Sequence, residues 1–95
     1  KNTDKDSYIY YIPEESADNI YLVCDITEYD TTASGDKGIE VYVNDKLIGN
    51  IDSKGTTKLK IGYVSGDELL TVQFHADNAE YTLYSISLDK GQAET

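Results

Sequence analysis

The sequence contains no arginine, and its 8 lysines stand against 18 aspartates and glutamates, which gives a formal net charge of −10. Proteins that bind nucleic acid neutralise its phosphates with lysine and arginine, so this charge balance excludes nucleic acid as a partner. A basic patch for anionic lipids is disfavoured for the same reason, and we expect no direct lipid binding. Neutral sugars, cationic ligands and metal ions stay open as classes of ligand.

Long apolar runs and cysteine pairs are also missing. The longest apolar run is far shorter than the roughly 18 residues that a transmembrane helix needs, and the charged segment 1–6 lacks the apolar core of a signal peptide. Cys24 is the only cysteine, which excludes an intramolecular disulfide. Methionine is absent even at position 1, and because translation begins with methionine we expect a piece excised from a longer protein.

The chain has 95 residues, of which 39% are hydrophobic and 27% charged. This length and composition predict one small globular domain over residues 1–95 with a thin core. Nine of the aromatic residues are tyrosines, one is phenylalanine, and there is no tryptophan. We expect residues 1–7 and 89–95 to be flexible ends.

Apolar side chains recur at every second position along most of the chain, which is the period of a β-strand. The clearest alternation covers residues 20–27, in which four side chains face one way: Ile20, Leu22, Cys24 and Ile26. Residues 28–38 are rich in Asp, Thr, Ser and Gly, and they are predicted to form the longest loop. About seven strands separated by turn residues are typical of an antiparallel two-sheet β-sandwich, which we expect to be jelly-roll-like.

Asn44 and Asp45 predict a two-residue hairpin turn, because both residue types tolerate a positive φ. The same alternation assigns side chains to common faces in three later strands. We expect Leu47 to share a face with Ile51, Tyr63 to share one with Leu59 and Ile61, and Tyr84 to share one with Ile86 and Leu88.

Candidate catalytic groups are few. His75, the only histidine, is either a general base or metal ligand, or a polar residue on a solvated strand face, and its alternation with Gln73 favours the solvated face. Cys24 lies among apolar neighbours, which predicts a small core residue and not a nucleophile. We therefore expect no enzymatic activity in this chain, no metal site and no cofactor.

An acidic stretch offers the best candidate ligands for calcium. Its four oxygen-bearing residues are Glu28, Asp30, Ser34 and Asp36. Calcium needs six to eight oxygen ligands, and the spacing of an EF-hand is absent. A hydrated surface loop is therefore the favoured interpretation of this stretch.

Three tyrosines form the candidate binding surface. Tyr10, Tyr21 and Tyr42 fall opposite apolar neighbours in their strands, so we expect their rings to point outward. Outward rings bind sugars or a protein partner, or they only cover a thin core while the hydroxyl stays wet. The sequence favours the covering role and leaves the other two open.

Two motifs carry a resemblance to a known family. Residues 41–46 form a Val-Tyr-Val-Asn-Asp-Lys hairpin, and the segments Leu-Lys-Ile-Gly-Tyr at 59–63 and Ser-Gly-Asp-Glu at 65–68 follow it. Over roughly residues 19–88 this pattern resembles the extracytoplasmic C-terminal region of the YfhO-type bacterial membrane proteins. Asp45 stands where the hairpin of that family usually has glycine.

The resemblance implies a polytopic membrane protein of Gram-positive bacteria that glycosylates lipoteichoic acid or related cell-envelope polymers. Its chemistry belongs near the membrane, on residues outside this chain, so no catalytic residue is carried over. The chain is then a non-catalytic accessory domain on the extracellular face of the cytoplasmic membrane. Its implied partners are the rest of the same membrane protein and an envelope glycan.

Two other functions fit the same residues. The chain is alternatively an independent carbohydrate-binding module of a secreted or surface protein. It is otherwise a structural spacer that serves as a protein contact.

Overall fold

The structure is a computed structural model that describes residues 6–31 and 38–91. These residues form seven strands: β1 (Asp6–Tyr11), β2 (Ala17–Thr31), β3 (Ile39–Val43), β4 (Lys46–Ile51), β5 (Gly55–Val64), β6 (Leu70–Ala76) and β7 (Ala79–Lys90). Two residues of each segment expected to be flexible therefore lie in a strand, because β1 begins at Asp6 and β7 ends at Lys90.

The strands pair into two antiparallel sheets, as the alternation predicts. One sheet has four strands in the order β1-β6-β3-β4, and the other has three in the order β5-β2-β7. Only the β3–β4 connection joins neighbours in one sheet, while every other connection crosses between sheets. This crossing gives the sandwich its jelly-roll-like character and confirms the predicted all-β fold class.

The core lies between the two sheets and follows the period of two. The four apolar residues predicted to share a face of β2 are all buried, and Val41, Val72 and Phe74 meet them from the four-stranded sheet. Phe74 also stacks on Tyr81, with ring centroids 6.4 Å apart. Burial of these side chains is the main force that holds the sheets face to face.

The first four residues of the loop predicted for 28–38 lie in a strand instead. β2 continues through Tyr29 to Thr31 and pairs with β7 over this extension, where Tyr29 faces Tyr81. The polar composition of the segment suggested a loop, but pairing with β7 supplies its backbone hydrogen bonds. Residues 32–37 lie outside the described residues.

A β-bulge overturns the predicted pairing of faces in β4. Gly49 faces Val41 and Leu47 faces Tyr42, so Ile48 is an extra residue without a partner in β3. An extra residue reverses the alternation beyond it. Leu47 therefore lies exposed on the outer face beside Tyr42, while Ile51 is buried.

Two further irregularities move tyrosines away from the core. In β5 the register shifts at Ile61, next to the positive φ of Gly62, so Val64 turns inward and Tyr63 outward. In β7 an extra residue at Tyr84 leaves its side chain 74% exposed, and Leu83 takes the position opposite Ile26. The predictions that Tyr63 and Tyr84 share the apolar faces of their strands are therefore wrong.

The predicted hairpin turn is confirmed. Asn44 and Asp45 have φ values of 49° and 69°, the left-handed region that a type I′ turn requires at both positions. Asn44 also binds the neighbouring strand: its Oδ1 accepts a 3.0 Å hydrogen bond from the amide of Thr71, and its amide donates to the Thr71 carbonyl at 2.9 Å. The turn is thereby fixed to β6.

The two long edges of the sandwich differ in how closely the sheets meet. At one edge β4 and β5 lie against each other, and Gly49 leaves room for the side chain of Leu59. At the other edge β1 and β7 stand further apart, and an apolar cleft of about 340 Å³ opens between them. Its walls are Ile9, Tyr10, Tyr11, Leu22, Leu70, Val72, Ile86, Ser87 and Leu88.

Candidate functional site

The outer face of the four-stranded sheet carries a band of aromatic and hydrogen-bonding side chains. Strand register places Tyr8 beside Gln73, and Gln73 beside Tyr42. The next row of the same face runs from Asp6 through His75 to Glu40. We call these residues, together with Tyr10, the tyrosine face: Asp6, Tyr8, Tyr10, Glu40, Tyr42, Gln73 and His75.

Tyr8 and Tyr10 form a stacked pair of parallel rings, which we call the platform, at the edge of this face. Two positions apart in one strand, they point the same way, with ring centroids 6.3 Å apart and planes within 4° of parallel. They are 50% and 62% exposed. Wide exposure of two parallel rings leaves their apolar surfaces open to a flat ligand.

Polar groups beside the platform are held by a hydrogen-bonded cluster. Asp6 Oδ1 lies 2.6 Å from His75 Nδ1 and accepts a 3.1 Å hydrogen bond from Gln73 Nε2. Asp77 Oδ1 lies 3.2 Å from His75 Nε2. Contacts at both ring nitrogens fix the plane of the imidazole, so the row presents its polar atoms in set directions.

Contacts within this cluster also shift the pKa values of Asp6 and His75. The hydrogen bond that His75 donates to Asp6 raises the pKa of His75 above its usual value, with the charges of Asp6 and Asp77 adding to the effect. Hydrogen bonds from His75 and Gln73 lower the pKa of Asp6. Both shifts favour an ionised carboxylate beside a protonated imidazole.

Tyr42 occupies the far side of the face. Its hydroxyl donates a long, 3.5 Å hydrogen bond to Glu40 Oε2. Partial burial first, and then the nearby charge of Glu40, raise the pKa of Tyr42, so the phenol stays neutral. A neutral hydroxyl both donates and accepts hydrogen bonds, which suits a partner that carries hydroxyl groups.

Only two of the three predicted site tyrosines lie together. Tyr10 and Tyr42 share the tyrosine face, whereas Tyr21 lies on the outer side of the other sheet, between Asp89 and Lys60 in the register. Gly91 packs directly against the Tyr21 ring, and its amide donates to the carbonyl of Asn19 at 2.8 Å. The ring of Tyr21 thus anchors the end of β7 and contributes nothing to the platform.

Sequence reasoning missed Tyr8 as a member of the site. The signal was present, because the period of two puts Tyr8 on the same side as Tyr10. Gln73 and Asp6 gave no such signal, since only the pairing of β6 between β1 and β3 brings them beside the rings.

Cys24 and His75 cannot act together. Cys24 is buried between the sheets, and burial raises the pKa of its thiol to about 11. His75 lies on the outer side of the four-stranded sheet. The sheet separates the two side chains, so the structure confirms Cys24 as a core residue.

The acidic stretch considered for calcium does not assemble a site within the described residues. Glu28 lies in β2 and accepts a 2.9 Å hydrogen bond from Thr82 Oγ1, and Asp30 lies in the same strand opposite Glu80. Ser34 and Asp36 lie outside the described residues. Among residues 6–31 and 38–91, no group of three or more potential metal ligands is present.

Over the same described ranges, no helix is long and apolar enough to cross a membrane. Comparisons of the chain with protein-family models, with curated proteins and with solved structures found no match. The geometry of the tyrosine face is therefore the basis for assigning a function.

Proposed function

We propose that this chain is a non-catalytic extracytoplasmic accessory domain that binds a neutral glycan on its tyrosine face. The observation that carries the proposal is the parallel, half-exposed pair of Tyr8 and Tyr10 beside fixed polar side chains. A sugar ring has an apolar side that stacks on a tyrosine, and hydroxyl groups at its rim that need hydrogen-bonding partners. The tyrosine face offers both kinds of contact on one side of the sheet.

The polar row matches the rim of such a ligand. Gln73 supplies amide donor and acceptor atoms two positions before His75 in β6, and Glu40, which faces His75 across the sheet, supplies a carboxylate acceptor. Tyrosine supplies large contact area at low conformational cost, because its side chain has few rotatable bonds. Contacts of this kind support weak, extended binding of a chain of sugars.

Charge narrows the class of glycan. The chain carries a net charge of −10, so an acidic polysaccharide or a phosphate-rich polymer would meet electrostatic repulsion at low salt. A neutral glycan, or a neutral sugar branch on an envelope polymer, meets no such barrier. Neutral oligosaccharides are therefore the first probes.

Binding should be measured by isothermal titration calorimetry and by NMR shift mapping. Suitable probes are neutral oligosaccharides such as cellohexaose, chitohexaose and a linear mannohexaose. We expect a saturable signal with shifts at β1, β3 and β6, and the double substitution Tyr8→Ala with Tyr10→Ala should weaken it about tenfold or more. Tyr84→Ala is the matched control, because Tyr84 is even more exposed than Tyr8 and Tyr10 but belongs to the other sheet.

Two results would contradict glycan binding. One is the absence of a saturable signal with every neutral probe, which would favour the structural spacer or protein contact. The other is equal weakening by Tyr84→Ala and by the double substitution, which would show that no specific face is involved.

The parent protein is a separate part of the proposal. The resemblance of residues 39–74 to the YfhO-type proteins supports a membrane-tethered parent that glycosylates envelope polymers, in which this domain orients the acceptor and carries out no chemistry. Sequencing the gene on both sides of the region that encodes these 95 residues tests this part. Several stretches of roughly 18 or more apolar residues would support it, whereas a neighbouring soluble catalytic domain would favour an independent carbohydrate-binding module.

A further inference from the structure

The open edge of the sandwich has the features of a strand-addition site. β1 is the last strand of the four-stranded sheet, and within the described part of the chain no strand pairs with its outer side. Its backbone N–H and C=O groups on that side are available to another strand. The apolar cleft of about 340 Å³ lies directly beside them.

The cleft is shaped by side chains of both sheets. Ile9 and Val72 line it from the four-stranded sheet, and Ile86 and Leu88 line it from β7. Near Ser7 it is closed, because the side chains of Ser7 and Tyr81 share a hydrogen bond between β1 and β7. Toward Tyr11 it is open, and the Tyr11 side chain is half-exposed at its mouth.

Apart from Asp6 at its first position, β1 carries no charged side chain, and it lacks three devices with which proteins protect an exposed edge. They are lysines, prolines and bulges. Strand Asp6–Tyr11 has none of them over its length, and its register with β6 runs without a shift. β4 and β5, at the opposite edge, carry bulges and three exposed lysines: Lys46, Lys58 and Lys60.

We propose that an extended segment of a partner polypeptide adds to β1 as a fifth strand and places alternate apolar side chains in the cleft. Backbone hydrogen bonds to β1 provide affinity, and the pockets between Ile9 and Leu88 provide preference for apolar residues at every second position. The partner is neutral or basic, because a net charge of −10 on this chain repels both an acidic segment and a second copy of itself. Tyr10 belongs both to the wall of the cleft and to the tyrosine face, but the partner segment pairs with the backbone edge of β1, whereas the glycan is proposed to contact side chains on the outer side of the sheet.

The probe is an acetylated eight-residue peptide in which valine and isoleucine alternate with threonine and lysine. A scrambled peptide of the same composition, without alternation, is the matched control, and decanoate tests whether any apolar chain fills the cleft. Binding is followed by NMR shifts and by amide hydrogen exchange. We expect saturable binding of the alternating peptide and slower exchange of β1 amides.

Variants separate the cleft from the rest of the molecule. Ile86→Trp fills the cleft with a ring and should weaken peptide binding about tenfold or more, and Ile9→Lys should do the same if it folds. Leu47→Lys, at an exposed position of β4, should leave binding unchanged. Circular dichroism melting of each variant shows that the fold is retained.

Four results would overturn the proposal. They are the absence of saturable binding up to about 1 mM peptide, equal binding of the scrambled peptide, protection of β4 or β5 in place of β1, and decanoate binding without peptide binding. A dimer in sedimentation velocity with protected β1 amides would also overturn it, because the occupant would then be a second copy. None of these results depends on whether the tyrosine face binds a glycan.

Discussion

The two long edges of this sandwich are closed to different degrees. At the β4–β5 edge the sheets touch, and Gly49 admits Leu59 where a larger residue would meet it. At the β1–β7 edge the sheets part, and the cleft is bridged only at the end marked by Ser7 and Tyr81. Both strands of the closed edge carry a bulge and at least one lysine, whereas at the open edge the bulge and the lysine lie in β7 and β1 is regular. The difference leaves β1 as the edge strand that keeps its capacity to pair.

Truncating an apolar side chain at each edge should give the largest difference in the free energy of unfolding. Ile51 is fully buried near the closed edge, so Ile51→Ala should lower the free energy of unfolding by about 2–5 kcal/mol. Ile9 is only half-buried beside the cleft, so Ile9→Ala should cost less than half as much. Urea denaturation measures both, and equal losses would contradict the distinction between the edges.

A substitution that fills the cleft should raise the free energy of unfolding, by less than the truncation of Ile51 lowers it. Ile86→Trp adds apolar surface against Ile9 and Leu88, and cavity-filling substitutions commonly raise the free energy of unfolding by about 0.5–2 kcal/mol. Thermal unfolding followed by circular dichroism checks the change. A lower melting temperature would mean that the cleft is tighter than its volume indicates.

Substitutions in the hairpin turn that leads into β4 should change the free energy of unfolding by a smaller amount. Asp45 has a φ of 69°, which glycine adopts without strain, so Asp45→Gly should raise the free energy of unfolding by up to about 1 kcal/mol. Asn44→Gly is the matched control: the same glycine there loses the hydrogen bond from the Thr71 amide to Asn44 Oδ1. Stabilisation by both substitutions would show that this hydrogen bond contributes little.

The smallest expected effect is a pH dependence at the N-terminal end of β1. The raised pKa of His75 stabilises the fold below about pH 6.5, and this contribution is lost as the pH rises through the pKa of the folded state. The lowered pKa of Asp6 gives a contribution that is present above about pH 3.8 and lost in stronger acid. The pair thus stabilises the fold most between these limits.

Melting temperatures of the native protein and of His75→Gln, from about pH 5.5 to about pH 8.5, test this. The advantage of the native protein should shrink as the pH rises. Comparison with the variant removes the general effect of the other acidic residues. A constant difference across this range would contradict the role of the Asp6–His75 pair.

The sequence predicted which tyrosines of the candidate site point outward, but not which outward residues lie beside one another. Alternation in residues 8–12 and 39–43 correctly put Tyr10 and Tyr42 outside the core, and the same rule applied to Tyr8 would have found the platform. Tyr21 obeys the rule equally well, yet it belongs to the other sheet. Which outward residues are neighbours depends on strand order, which alternation does not encode.

Bulges explain the errors in assigning faces. Leu47, Tyr63 and Tyr84 each follow the apolar period of their strands, and each is turned outward by one extra residue nearby. A bulge costs little free energy in the strand that carries it, and the amino-acid composition around it gives only a weak signal. Gly62, which has a positive φ, is a hint of a bulge in the sequence, because a glycine inside a strand often marks one.

By itself the sequence determined the all-β architecture, the buried face of β2 and the Asn44–Asp45 turn. These features follow from local rules, namely the period of two and the tolerance of single residues for positive φ. Tertiary structure alone decided the strand order, the bulges, the Asp6–His75 contact across 69 positions of sequence and the opening between β1 and β7. They depend on the contacts between strands distant in sequence, where the packing of one sheet on the other selects among pairings that the local pattern leaves equally favourable.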